Sequence, residues 1–181
     1  MRQGVASVVL AAIVAAGEVP VSAQDASPAL RPESAAVRAL MTKGIERSGT
    51  FRDLTSRLSG ADVIIYVRFS RCPGNVPGCL QWASAAPGLR RVVIKLDQFG
   101  RSPNELTALL AHELQHALEV ADATEINDLA SFQKAFAERG WKGAHGFETA
   151  LAGEITKRVA AELGSTSEAR IGSAKNSDGR W

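Results

Sequence analysis

The spacing of apolar positions changes along the chain, and each change marks an element. Between Glu33 and Arg47, Ala36, Val37, Leu40, Met41 and Ile45 recur at the spacing of a helix face. Ser48-Gly49-Thr50 breaks that pattern, and a shorter helix is expected from Phe51 to Leu58, stopped by Ser59-Gly60. The pattern then turns to that of strands. Ala61 to Ser70 is rich in β-branched and aromatic residues and reads as a buried strand. Leu80 to Ser84 reads as a short strand, Ala86-Pro87-Gly88 as a turn, and Arg90 to Leu96 as the returning strand of a hairpin. Helical spacing resumes at Ser102 and holds to about Ala121. Leu106, Leu109, Leu110, Leu114, Ala117 and Leu118 give this helix a wide apolar face. Its start is well marked, with Ser102 at the N-cap, Pro103 next and Glu105 placed to complete a capping box.

Asp122 to Asn127 reads as a loop, and Asp128 as the cap of a helix reaching Arg139, with Leu129, Phe132 and Phe136 facing inward. Trp141 to Gly146 reads as a second loop. A last helix, from Phe147 to Leu163, would bury a stripe of Phe147, Leu151, Ile155, Val159 and Leu163 and stop at Gly164. The expected fold class is α+β: a small, largely antiparallel sheet, then a long helix, then C-terminal helices.

The chain ends read differently from its middle. After Arg2, the stretch from Gly4 to Gly17 is apolar, and Val21-Ser22-Ala23 offers small residues for cleavage. Residues 1–23 therefore read as a secretory signal peptide cut near Ala23, which predicts a secreted or periplasmic protein. The apolar run is short for a membrane-spanning helix, so no stable membrane insertion is expected after cleavage. Residues 24–32 read as a linker, 33–164 as the folded domain and the polar residues 165–181 as a disordered tail. The 181 residues carry 21 Lys and Arg against 19 Asp and Glu, a balance that suits one globular domain. No basic run interleaved with aromatics points to nucleic acid, and none is expected as a partner. In an oxidising compartment Cys72 and Cys79 are expected to pair across a Pro/Gly-rich loop.

The chemistry concentrates in the long helix. His112-Glu113-Leu114-Gln115-His116 places two of the chain's three histidines one turn apart on one helix face. Two neutral imidazoles at that spacing can bind one Zn²⁺, and Glu113 can take a proton from a metal-bound water. This is the H-E-x-x-H motif, and through it the chain resembles the zincin metallopeptidases. The resemblance implies a zincin-like domain in which a sheet precedes the motif helix. It also implies an edge strand, here Arg90 to Leu96, that pairs with an extended substrate.

A catalytic zinc takes three protein ligands and keeps one position open. Glu148 is the preferred third ligand: gluzincins take a glutamate from a later helix, and an acid in the stripe of the last helix needs a partner or a metal. Glu154, at the edge of the same stripe, is the fallback, and Glu138 is less well placed. Asp122 falls where metzincins carry a ligand, but Glu119 stands in place of their glycine. Glu119 itself lies about 10 Å along the axis from His112, and a hydrogen bond to a ligand histidine suits it better. Gly78-Cys79-Leu80 is similar to a ligand motif of peptide deformylases, but a disulfide suits an exported Cys79 better. His145 is a candidate to stabilise an oxyanion. The expected function is an exported zinc-dependent metallopeptidase acting on a peptide or protein substrate. The alternative is a zincin-like domain that binds metal or a protein without hydrolysis.

Overall fold

The structure is a computed structural model and describes residues 29–139, 141–143 and 146–176. It is α+β. Its main sheet holds β1 (Leu30–Pro32), β2 (Val63–Phe69), β3 (Gly78–Ala86) and β4 (Leu89–Leu96) in the order β1-β2-β4-β3. The expected hairpin joins β3 to β4 in antiparallel register, turning at Pro87 and Gly88. The sheet is nevertheless mixed rather than largely antiparallel, because β1–β2 and β2–β4 are parallel. The turn fixes only the hairpin, whereas β2 reaches β4 through a crossover that places β4 in the interior. The strand expected at the edge is therefore bonded on both sides, and β3 and the short β1 are the edges.

Helices α1 (Ala35–Arg47) and α2 (Gly49–Ser59) meet at Ser48, whose hydroxyl accepts from the Phe51 N–H and so caps α2. Helix α3 (Pro103–Asp122) begins with the full capping box of Ser102 and Glu105. Val63, Ile65, Val67, Val92, Ile94 and Leu96 are fully buried, and they share one core with the apolar face of α3. Helix α5 (Ala150–Asn176) packs along α3, and α1 and α2 touch both. The motif helix is thus central, held by the sheet, α1, α2 and α5.

The C-terminal half departs from expectation in several places. Helix α4 (Leu129–Arg139) turns Phe136 inward and packs Phe132 on the core, but Leu129 is 52% exposed. The expected loop after it contains a two-stranded hairpin, β5 (Trp141–Gly143) and β6 (Gly146–Glu148). Phe147 and Glu148 therefore precede α5, and Leu151, on its first turn, is 45% exposed. Gly164 does not stop α5, whose helix continues into the expected tail. At the other end, Leu30 is 2% exposed and pairs with Ile65, so part of the expected linker is a strand. A lone apolar residue among polar neighbours and prolines gives no periodic signal for it. The expected signal peptide lies outside the described residues. No helix among the described residues is long and apolar enough to cross a membrane.

Candidate metal centre

Because α3 is anchored by its leucines, its histidines sit at the margin of the core. His112 and His116 stand with ring centroids 4.8 Å apart and planes at 81°. Their Nε2 atoms are 3.2 Å from each other. The hairpin β5–β6 delivers Glu148 to the same point, its Oε2 2.9 Å from His112 Nε2 and 4.0 Å from His116 Nε2. These three ligand atoms lie within 4.8 Å of one another. Glu148 arrives from a strand end and is partly exposed, not buried in a helix stripe as expected.

The outer ring nitrogens fix what the inner ones present. Thr156, on α5, donates its hydroxyl to the Ala152 carbonyl, so its oxygen accepts at 2.9 Å from His112 Nδ1. Glu119 Oε2, an acceptor, lies 2.9 Å from His116 Nδ1. With each Nδ1 donating, both Nε2 atoms turn lone pairs toward each other and toward a carboxylate. That arrangement is repulsive unless a positive charge lies between the groups. Two imidazoles and a carboxylate are a donor set for a divalent metal ion, and the cluster His112, His116 and Glu148 can hold one.

The two imidazoles are shifted in opposite directions. Burial holds the pKa of His112 below its ordinary value, helped by the charge of His116 and opposed by Glu148. Burial would also lower that of His116, but the hydrogen bond to Glu119 and the charges of Glu113, Glu119 and Glu148 outweigh it and raise it. A proton is thus favoured on His116 and disfavoured on His112. Glu119 is clasped in turn, accepting from Thr149 at 2.8 Å and Gln115 at 3.3 Å. One carboxylate therefore ties a motif histidine to the residue next to Glu148.

Glu113 is buried between α3 and β3. Its Oε1 lies so close to the Gly78 backbone that a Cβ there would meet it at 2.6 Å. Burial pushes its pKa up to about 8, against the pull of His116 and with the push of Glu148. The three motif residues and Glu148 line a cleft of about 210 Å³. Gly78 to Leu80 of the edge strand form one wall, and Phe132, Gln133 and Phe136 of α4 the other. Comparison with known protein families, curated proteins and solved structures gives no match. A functional reading therefore rests on the geometry of this cleft.

The rival ligands stand elsewhere or are otherwise engaged. Asp122 pairs with Arg57 at 3.4 Å in an exposed contact, Glu154 is exposed, and Glu138 pairs with Lys134. Cys79 borders the cleft but is joined to Cys72. His145 lies outside the described residues. Sequence reasoning missed Thr156, Thr149 and Gly78, because their roles come from packing between distant elements and leave no local pattern.

Proposed function

We propose that the protein is an exported zinc-dependent metallopeptidase with a zincin-like, gluzincin-type site. His112, His116 and Glu148 are its ligands and Glu113 its general base. One observation carries the reading: two outward-tethered imidazoles and one carboxylate converge on a point bordered by a buried glutamate and a cleft. Zinc in that position would supply Lewis acidity to a water and to the scissile carbonyl. The positive charge of an ion held there would offset the burial that raises the Glu113 pKa, so that the ionised carboxylate takes the water's proton and passes it to the leaving amine. The burial of Glu113 against Gly78 confines the carboxylate to one side of the cleft and keeps bulk water away. Thr156 and Glu119 hold the imidazoles in the tautomer that turns Nε2 inward. Among the described residues β3 is an outer strand of the sheet, and its free side would offer main-chain groups to an extended peptide, the role expected of Arg90 to Leu96.

The test is Glu113→Gln in zinc-loaded protein, assayed on a mixed peptide substrate with metal content measured in parallel. The variant should keep stoichiometric zinc and lose about 10²- to 10⁴-fold in turnover. Zinc binding without turnover in the unsubstituted protein would assign a binding domain instead. Failure to retain any metal would remove both readings.

A further inference from the structure

The cleft has a wall of its own character beyond the metal ligands. Gly78, Leu80 and Trp82 of β3 pair with Leu96, Ile94 and Val92 of β4, which are fully buried in the core shared with α3. Residues paired across strands share a face, so these three positions turn toward the helices. At Gly78 that face is bare, and Glu113 fills the space. Two residues on, roughly 7 Å along the strand, Leu80 begins an apolar surface that is only half buried.

Helix α4 supplies the other side. Phe132 and Phe136 line the cleft with Leu80. Ring contacts join Trp82 to Phe132, with centroids 5.8 Å apart, Phe132 to Phe136 at 4.9 Å, and Phe136 to His116 at 5.5 Å. An aromatic row thus starts at a motif histidine and runs out along the wall. Among the described residues that line the cleft there is no lysine or arginine, and its two acids, Glu113 and Glu148, belong to the metal end. Gln133, on the α4 side, is polar and exposed.

We propose that this wall selects peptides carrying a bulky apolar side chain, aromatic or leucine-like, within two residues of the peptide bond beside Glu113. Leu80, Phe132 and Phe136 are the residues that determine the preference. The inference rests on the peptide-binding part of the proposed function and adds what the site selects. Among the described residues the outer side of β3 is free. Cys79 alternates to the face opposite Gly78 and Leu80, yet it also lines the cleft, which therefore meets the edge of the strand. A peptide paired along that edge turns every second side chain to the helix side. Beside Gly78 such a side chain meets a carboxylate, and the next on the same face meets Leu80 and the two rings. An apolar group there removes water from surfaces that are half exposed in its absence. An acidic one would leave water and find no cation.

The test uses fluorescein-labelled pentapeptides of alanine with one variable central residue. Their binding to the full-length Glu113→Gln chain, in buffer containing zinc, is read by fluorescence anisotropy. Central Phe or Leu should bind about 10- to 100-fold tighter than central Ala or Asp. Phe132→Ala should narrow that preference about 10-fold, with the melting temperature showing that the variant folds. Gln133→Arg changes an exposed side chain and provides a second check, since a cation on the wall should raise the affinity of the Asp peptide several-fold. Equal binding of all the peptides, or a ranking that neither variant alters, overturns the proposal. Dimers that exclude the peptides would assign the wall to a second copy of the chain and equally overturn it. Turnover of the same peptides by the unsubstituted protein separates this inference from the hydrolase reading. The expected ranking in binding without turnover keeps the selection and removes the hydrolase, whereas turnover without ranking does the reverse.

Discussion

Glu113 owes its position to an absence of atoms. At Gly78 an added Cβ would stand 2.6 Å from Glu113 Oε1 and 2.9 Å from Leu109 Cδ1, so neither the buried acid nor the half-buried leucine could stay where it is. Gly78→Ala should cost about 1–3 kcal/mol in a denaturant melt and lower kcat with the bound metal unchanged. Preserved kcat would show that the contact does not position the carboxylate. The outer nitrogens of the histidines give a complementary expectation. Thr156→Val or Glu119→Gln should weaken metal binding about 10- to 100-fold by competition with a chelator, with the Glu113 contact intact. At this scale the sequence was informative where the relation is local. A spacing of four puts His112 and His116 on one side of α3, and three places Glu119 within reach of His116. Glu148 could be reached through its chemistry, although its setting differs, because nothing in residues 141–148 signals a hairpin of three-residue strands. Thr156 and Gly78 were not readable, since each matters only through a group on another element.

Among the elements, α3 depends on Arg90 for its end. No glycine or lysine closes this helix. Instead the guanidinium reaches from buried β4 to the carbonyls of Val120, Ala121 and Ala123, at 2.6 to 3.0 Å, and toward Ile126. It also pairs with Asp62. A positive charge there meets the negative end of the helix dipole and adds a donor to the Val120 and Ala123 carbonyls, which also accept the N–H groups of Ala123 and Ile126. Arg90→Met keeps the stem but removes its hydrogen bonds to the helix end, and about 1–3 kcal/mol of stability should be lost in denaturant melts. A loss below about 1 kcal/mol would mean that water replaces the guanidinium. The residue was read as part of a strand and as nothing more, since its partners lie some thirty residues away. The same distance explains the errors in the sheet. Capping residues mark the start of α3, and Pro87-Gly88 marks the β3–β4 hairpin, because both act over a few residues. The parallel pairing of β2 with β4 is decided by how the sheet covers α3, which no local signal records.

For the molecule as a whole, α5 is the clasp. It carries Thr156 against His112, and near Leu163 it is held by the opposite end of the fold. Arg47 donates to the Leu163 carbonyl at 3.1 Å, and Glu162 accepts from the hydroxyls of Ser48 and Thr50 and from the Thr50 N–H. Burial alone would raise the pKa of Glu162, but those hydrogen bonds outweigh it and hold it below the usual glutamate range. A carboxylate with a depressed folded pKa contributes stability that is complete above its unfolded value of about 4.3 and fades as pH falls through the folded one. Glu162→Gln should therefore melt below the unsubstituted protein at neutral pH. The gap should narrow as the pH is taken below about 4, where both chains carry an uncharged side chain at that position. Thermal melts of the two proteins across that range measure it, and a gap independent of pH would mean that the amide's shape, not the lost charge, sets the difference. Since the same helix orients His112, the neutral-pH loss should extend to metal retention on warming. The clasp is then read twice, once as stability and once as occupancy of the site.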